Sequence, residues 1–252
     1  MRTRSGAVRG LRLVLALIVF AGGCTTAGRG ATRSDVIRQI LPATVQLRCE
    51  RDGGDRRAAS GVILARDTAA GRTWIVTTRH FLEPLAPQKV SVSFSGRKAR
   101  ATARVVSVSE RADLALLEVD GAESSPVRLK DSVTLGDEVW VVAYPWGRRM
   151  TLSSGVVSQI VRDDGDTDAH YEGPARMVDV SVSYGASGGG VFDAPTGALI
   201  GLVESYRTAR MSVKGPPERV IEIPVPGETT LISADIIRRF IVEAGLAAFL
   251  ED

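Results

Sequence analysis

The chain has 252 residues, of which 44% are hydrophobic and 24% are charged, enough apolar material to bury a sizeable core in one or two globular domains. Its formal net charge of +3 would favour a nucleic-acid or membrane-surface partner. However, the first 23 residues contain four arginines and no acidic residue, namely Arg2, Arg4, Arg9 and Arg12. Without them, 28 basic residues face 29 acidic residues and the charge is −1. If this segment is cleaved, the mature protein loses its basic character, and we expect no nucleic-acid partner.

The first 23 residues have the pattern of an export signal, because the basic start is followed by an apolar run from Leu13 to Ala21. This run is about half of the ~20 residues that span a bilayer, which argues against a permanent transmembrane anchor. The stretch Phe20 to Cys24 resembles the lipobox of bacterial lipoproteins, although Ala21 stands where that pattern most often has Leu. The resemblance implies a lipoprotein signal peptide over residues 1–23, lipid attachment at Cys24 and a membrane-anchored protein in the bacterial periplasm. Ordinary signal-peptidase cleavage and an uncleaved anchor are the alternatives.

Residues 24–33 are small and polar, and they are interpreted as a flexible tether to a folded domain over residues 34–252. Ser34 is a candidate cap for a short helix that ends before Pro42. Cys49 is the only cysteine besides the one in the lipobox. With that first cysteine acylated, Cys49 has no intramolecular partner and is expected to be a buried thiol.

The rest of the chain is dominated by strand patterns separated by Gly-containing turns. The first set of candidate strands comprises Ala43 to Glu50, Ala59 to Ala65, Trp74 to Thr78, Lys89 to Phe94, Ala99 to Ser107 and Leu114 to Val119. After a polar stretch, the second set comprises Glu138 to Ala143, Met150 to Ile160, Ala175 to Val182, Gly190 to Phe192, Ala198 to Ser205 and Val220 to Val225. Short strands with almost no helix predict an all-β fold of two six-stranded antiparallel barrels, over about residues 43–120 and 136–226. A helix over about residues 233–249 follows, with Ser233 as its N-cap and Asp235 in its first turn.

The sharpest local motif is the stretch Tyr184 to Gly190, in which Ser187 is flanked by four glycines. Such a turn can point backbone N–H groups at a neighbouring oxygen, although a flexible Gly/Ser loop is equally consistent with this stretch alone. A base is available in His80, one of only two histidines, at the end of an apolar strand. Asp113 directly precedes another apolar strand. Each of these residues alone is most simply interpreted as structural. His80 and Asp113 lie in the first strand set and Ser187 in the second, so all three could approach a common cleft between the barrels.

With these residues, the chain resembles the trypsin-like serine peptidases, specifically the bacterial HtrA/Deg-like branch. The resemblance covers roughly residues 43–247 and depends on five separated matches. These are Ser60 to Ile63, Ile75 to Phe81 around the histidine, Asp113 to Leu117, Thr151 to Ser158, and Gly185 to Gly190 followed by Gly197 to Gly201. It implies a catalytic triad of His80, Asp113 and Ser187, and an oxyanion hole formed by the backbone N–H groups of Gly185 and Ser187.

Two departures from the family pattern lie in the serine motif. Ala186 stands where this branch usually has Asn, and Gly190 stands where it usually has Pro, so we expect a looser turn. A third departure is Thr78-Arg79 ahead of the histidine, where Asn is commoner. Digestive trypsins carry an aspartate at the position of Ala186 to receive a newly cleaved N-terminal amine, and an alanine cannot. We therefore expect an enzyme that needs no zymogen cleavage of that kind.

The resemblance also places Ser181 at the floor of a specificity pocket, which would then be uncharged. The acidic turn Asp163 to Asp168 is not a calcium loop, because Pro174 stands where a bidentate Glu is required. His170 has no second histidine or cysteine nearby, so we expect no metal and no cofactor. The stretch Tyr144 to Gly147 is interpreted as a turn that packs its aromatic rings on the barrel.

The sequence thus predicts a lipid-anchored serine endopeptidase that acts on protein or peptide substrates. The alternative is a degenerate peptidase-fold protein that binds peptides or a partner but cleaves poorly, and esterase activity from the same triad is a further possibility. No peptide-binding domain of the PDZ type is expected after the last helix. The sequence does not indicate the natural substrate or the oligomeric state.

Overall fold

The structure is a computed structural model that describes residues 31–50, 56–84, 89–121, 125–161, 171–213 and 219–250. The export signal, Cys24, most of the tether, the acidic turn 163–168 and His170 lie outside the described residues. Within the described ranges, no helix is both long and apolar enough to cross a bilayer.

The first helix, α1 (Arg33–Ala43), is capped by Thr32 and not by Ser34, so the predicted tether ends earlier than residue 33. The Thr32 hydroxyl accepts from the backbone N–H of Asp35, and the Asp35 carboxylate accepts from the Thr32 N–H, which forms a capping box. Hydrogen bonds from the Thr32 side chain and backbone, and from a nearby arginine, lower the pKa of Asp35 to about 2. The helix also includes Pro42, because a proline in the last turn removes only one backbone hydrogen bond.

The first barrel is closed by six antiparallel strands, as predicted. They are β1 (Thr44–Glu50), β2 (Arg56–Asp67), β3 (Arg72–Thr78), β4 (Lys89–Ser93), β5 (Arg100–Ser109) and β6 (Leu114–Asp120), arranged in the order β1-β2-β3-β6-β5-β4. A short 3-10 turn, Arg79–Leu82, continues from the end of β3.

The second barrel also has six antiparallel strands, and a separate two-stranded sheet lies beside it. The small sheet is β7 (Val133–Thr134) with β10 (Glu172–Gly173), and the barrel is β8 (Glu138–Ala143), β9 (Thr151–Ile160), β11 (Ala175–Val178), β12 (Gly190–Asp193), β13 (Leu199–Val213) and β14 (Arg219–Ser233). The barrel order is β11-β14-β13-β12-β8-β9. The predicted end of this barrel near residue 226 is wrong, because β14 continues to Ser233. The part of β14 beyond residue 226 includes Glu228, Thr229 and Thr230, and these polar residues do not form the apolar pattern that predicts a strand.

Three apolar clusters hold the fold together, one inside each barrel and a third between the barrels. Ile63 and Ile75 point into the first barrel, whereas their chain neighbours Val62 and Val76 point into the third cluster. Strands that are buried on both faces have continuous apolar runs in the sequence, and this pattern predicts β2, β3 and β6. Cys49 is buried inside the first barrel, as predicted.

The last helix, α2 (Ala234–Glu243), packs its apolar face into the third cluster through Ile237, Phe240 and Ile241. It ends earlier than predicted, because Gly245 adopts a φ of +79° that turns the chain, and a separate 3-10 turn covers Ala247–Phe249. Ser233 precedes the helix, but its hydroxyl bonds the Asp235 carboxylate and caps no backbone N–H.

Candidate active site

The register of the first barrel brings His80 and Asp113 together. Strands β3 and β6 are antiparallel neighbours with Thr78 opposite Leu114. The residues just after β3 therefore lie beside the residue just before β6. The N–H of Arg79 donates to the carbonyl of Asp113 at 2.8 Å, which continues the ladder one step past the strands.

Asp113 holds the histidine through both carboxylate oxygens. Its Oδ1 accepts from the backbone N–H of His80 at 2.8 Å, and its Oδ2 lies 2.7 Å from Nδ1 of the ring. Because an ionised carboxylate can only accept, the neutral ring carries its proton on Nδ1 and presents a lone pair at Nε2. The geometry fixes both the orientation and the tautomer that a general base requires.

Asp113 itself has an unusual backbone conformation, with a φ of +50°. A non-glycine residue rarely adopts positive φ, and such strain is concentrated at functional sites. The side chain is 24% exposed, and the histidine ring is 42% exposed. The carboxylate is therefore largely shielded while the ring is open to the cavity beside it.

The turn that carries Ser187 leaves two backbone donors unused. The N–H groups of Ala186, Gly188 and Gly189 each donate to a backbone carbonyl, at 2.8 to 3.0 Å. The N–H groups of Gly185 and Ser187 have no acceptor among the described residues. Since unpaired backbone donors are rare in folded proteins, these two groups are available to an oxygen of a bound molecule.

Ser60, from β2 of the first barrel, fixes this turn from behind. Its hydroxyl donates to the carbonyl of Gly185 at 2.9 Å, and its N–H donates to the carbonyl of Ser187 at 2.9 Å. The same hydroxyl accepts from the N–H of Tyr144 at 2.8 Å, and the Ser60 carbonyl accepts from Thr77 Oγ1 at 2.7 Å. Ser60 thereby attaches the backbone on both sides of Ala186 to the first barrel. The peptide planes of the two free N–H groups are held through their own carbonyls, that of Tyr184 by the N–H of Trp146 at 2.6 Å and that of Ala186 by the N–H of Gly189 at 2.8 Å.

His80 and Ser187 line the same cavity of about 430 Å³, to which both barrels contribute. Ser187 Oγ makes a long hydrogen bond of 3.4 Å to the carbonyl of Glu204, and among the described residues it makes none to the His80 ring. The structure thus joins His80 to Asp113 directly and brings Ser187 to the same cavity.

Comparisons with known proteins identify the family of this domain. A family model described as a trypsin-like peptidase domain matches residues 59–202, more than half of the chain. The chain belongs to the trypsin-like peptidase family. The matched residues of this peptidase domain include His80, Asp113 and Ser187.

Several curated relatives of the peptidase domain are HtrA/DegP proteins. The chain is 33% identical over 146 residues to the periplasmic serine endoprotease DegP of Salmonella typhimurium, covering 57% of this chain and 29% of that protein. It is 32% identical over 146 residues to a probable DegP-like periplasmic serine endoprotease of Buchnera aphidicola, covering 57% of this chain and 28% of the relative. The chain thus spans less than a third of the length of these two relatives.

Solved structures share the fold of the peptidase domain. The serine endoprotease from Yersinia pestis superposes with a TM-score of 0.63 at 19% identity, covering 84% of this chain and 66% of that one. The HtrA-type protease AlgW with a tripeptide gives a TM-score of 0.63 at 21% identity, covering 85% and 65% respectively.

The two departures in the serine motif of the peptidase domain have structural explanations. Gly190 begins β12 and pairs with Val142 and Leu202, so it belongs to the barrel and not to a loose turn. The fully buried ring of Phe192 occupies the space that a side chain at position 190 would need, so a Cβ there would overlap the ring. Ala186 is 1% exposed and packs inside the second barrel, where a polar side chain such as asparagine would require a hydrogen-bonding partner.

The structure does not place Ser181 in the cavity of the peptidase domain. Ser181 is exposed, and its hydroxyl accepts from the N–H of Gly227 at 3.2 Å. The cavity is lined instead by the next residues along the chain, Val182 and Ser183, and by Glu204. The assignment of Ser181 to the floor of a specificity pocket stays a prediction.

Sequence reasoning also missed residues that shape the site. Ser60 was noted only as part of a strand motif, although a serine within an apolar strand is a signal of a buried hydrogen-bonding role. Tyr144 is 8% exposed and packs on the barrel as predicted, but Trp146 is 63% exposed and does not. Burial raises the pKa of the Tyr144 phenol.

Proposed function

We propose that the chain is a serine endopeptidase that hydrolyses protein or peptide substrates with His80, Asp113 and Ser187 as its catalytic triad. The observation that carries this proposal is the pair of hydrogen bonds by which Asp113 holds the His80 backbone and ring. The unused N–H groups of Gly185 and Ser187, next to the candidate nucleophile, support it.

The reaction begins with a rotation of the Ser187 hydroxyl from the Glu204 carbonyl towards Nε2 of His80. Oγ then attacks the scissile carbonyl carbon while its proton moves to Nε2, and the carbonyl oxygen becomes an oxyanion that the two free N–H groups bind. Asp113 stabilises the imidazolium that forms. As the C–N bond breaks, Nε2 gives the proton to the leaving amine, and a water molecule later hydrolyses the acyl-enzyme by the same sequence of transfers.

A fluorophosphonate probe tests the nucleophile directly. We expect stoichiometric labelling of the wild-type chain at Ser187, because only an activated serine attacks phosphorus at a useful rate. Ser187→Ala should remain unlabelled, whereas Ser158→Ala, which removes an exposed hydroxyl on β9, should label like the wild type. Intact-protein mass spectrometry measures the adduct. A wild-type chain that is as unreactive as Ser187→Ala would contradict the proposal.

A second candidate function is peptide binding with little cleavage. The long bond from the Ser187 hydroxyl to the Glu204 carbonyl favours it, because a serine in this rotamer does not contact its base. Cleavage of a denatured protein by the wild type but not by Ser187→Ala distinguishes the two. Comparing peptide and ester substrates separates endopeptidase from esterase activity.

We further propose that the protein is exported to the bacterial periplasm and anchored by acylation of Cys24. The leader pattern supports this, as do the relatives whose names describe periplasmic endoproteases. Cells fed an alkyne fatty acid should incorporate the label into the wild type and into Cys49→Ser, but not into Cys24→Ser. In-gel fluorescence after click labelling measures this, and equal labelling of all three chains would overturn the assignment.

A further inference from the structure

A second cavity, of about 320 Å³, opens beside the candidate catalytic cavity and carries a concentration of arginines. We name it the arginine groove and define it by Arg48, Arg56, Arg57, Arg148, Trp146 and Tyr184. Arg57, Ala58 and Tyr184 line both cavities, so the groove is continuous with the space in front of Ser187. A polypeptide bound at one cavity would run directly into the other.

The charge of the groove is strongly positive. Its described lining residues include four arginines and one acidic residue, Glu50, which pairs with Arg56 at 3.5 Å. Arg48 donates to the Gly147 carbonyl at 2.9 Å, and Arg57 donates to the His80 carbonyl at 3.2 Å. These carbonyl bonds fix the guanidinium groups in place without neutralising them, and a guanidinium does not lose its proton in proteins.

An exposed aromatic pair, which we call the aromatic wall, also lines the groove. The ring centroids of Trp146 and Tyr184 lie 5.5 Å apart. Trp146 is 63% exposed and Tyr184 is 47% exposed. Trp146 adopts a left-handed backbone conformation, with a φ of +57°, which is unfavourable for a tryptophan. A strained backbone that holds a large apolar ring in solvent indicates that Trp146 has a binding role and not a packing role.

The aromatic wall is also connected to the turn that carries Ser187. The N–H of Trp146 donates to the carbonyl of Tyr184 at 2.6 Å, immediately before Gly185. A Cβ at Gly185 would lie 2.8 Å from the Trp146 nitrogen, so the two turns are in close contact. A ligand that shifts Trp146 would therefore also shift the backbone that carries the N–H donors beside the nucleophile.

We propose that the arginine groove binds acidic residues of the substrate polypeptide next to the scissile bond, with the two aromatic rings packing on the peptide. The proposal rests on the proposed function, since it names the substrate class of the same site. Carboxylates match the fork of donors on a guanidinium, and fixed, unneutralised arginines favour them over neutral side chains. The groove thus selects segments rich in Asp and Glu.

Binding can be measured without cleavage in the full chain that carries Ser187→Ala. The probes are the octapeptide Gly-Ser-Glu-Asp-Gly-Ser-Glu-Asp and its neutral counterpart Gly-Ser-Gln-Asn-Gly-Ser-Gln-Asn. Tryptophan fluorescence reports the groove, because Trp74 and Trp140 are 2% and 5% exposed while Trp146 is open to solvent. We expect the acidic peptide to bind about tenfold more tightly, and the difference to shrink at high salt.

Arg148→Glu and Arg149→Glu form a matched pair of variants. Both residues are exposed and adjacent in sequence, but only Arg148 lines the groove. We expect Arg148→Glu to weaken binding of the acidic peptide about three- to tenfold, whereas Arg149→Glu should change it less than about twofold. Equal effects of the two variants would show a non-specific charge effect and overturn the proposal. A single-stranded oligonucleotide that binds the groove more tightly than the acidic peptide would also overturn it.

Cleavage by the active chain separates this proposal from the proposed function. A set of quenched fluorescent peptides with one Glu moved along either side of a fixed cleavage site should show the highest kcat/KM at one position near the scissile bond. Arg148→Glu should remove that preference, whereas Arg149→Glu should retain both the preference and the fluorophosphonate labelling. Labelling without any preference for Glu contradicts the acidic specificity alone, whereas absence of both labelling and cleavage contradicts the peptidase function.

Discussion

Asp113→Asn should lower kcat by about 10⁴ while leaving KM within a few-fold of the wild-type value, as expected for a positioning acid of a triad. The asparagine Oδ1 can still accept from the His80 N–H, so the local backbone is expected to survive. Its amide, however, would donate to Nδ1, where the carboxylate now accepts at 2.7 Å. The proton then moves to Nε2, and the ring can no longer take the proton of Ser187.

Steady-state cleavage of a peptide substrate measures this effect, and thermal unfolding shows whether the variant is folded. Glu110→Gln is the matched control, because it removes a nearby carboxylate that is 80% exposed and that pairs, among the described residues, with Arg79 at 3.1 Å. We expect this control to retain activity within about threefold, since surface ion pairs contribute little. An Asp113→Asn variant that retains more than about a tenth of wild-type kcat would contradict the role assigned to Asp113.

Gly188→Ala should abolish activity and destabilise the fold by more than about 4 kcal/mol, a size reserved for steric conflicts that cannot relax. Gly188 has a φ of +77°, and a Cβ there would overlap the Ser60 carbonyl oxygen and Thr77 Oγ1. Both atoms belong to the hydrogen-bonded set behind the serine turn. Relief of the overlap would push the turn away from the first barrel.

Gly96→Ala provides a control with the same backbone angle. Gly96 also has a φ of +77°, but nothing lies within 4 Å of its added Cβ. The left-handed conformation alone costs about 1–2 kcal/mol, which corresponds to a fall in Tm of about 2–8 °C for a domain of this size. Calorimetry should show a fall of more than about 10 °C for Gly188→Ala, and similar values for the two variants would exclude the steric explanation.

The two barrels and the positions of His80 and Asp113 could be predicted because their causes are local. Strands β3 and β6 are apolar on both faces, and their ends are marked by polar residues that follow or precede them directly. Once the two strands are paired, His80 and Asp113 must be neighbours. The two residues were singled out by their order along the chain and by the family resemblance, and the pairing of β3 with β6 explains why they are neighbours.

The contacts that hold the turn around Ser187 could not be predicted from the sequence, because they come from residues far away along the chain. The glycines indicate freedom of the chain, but Ser60 and Phe192 restrict that freedom in space. Likewise, the family pattern places Ser181 by its distance from Ser187, and the hydrogen bond with Gly227, far along the chain, turns it outward. Such long-range contacts produce no periodic pattern of apolar and polar residues, so the sequence does not reveal them.

Ser60 belongs to one barrel, and the carbonyls it holds belong to the other. The attachment of the serine turn is thus a property of both barrels together, since the turn lies in one barrel and Ser60 in the other. A small loosening of the seam would release the turn while each barrel kept its own core. The proposed activity would therefore depend on contacts between the two barrels of a single chain, much as an active site shared by two subunits depends on their interface.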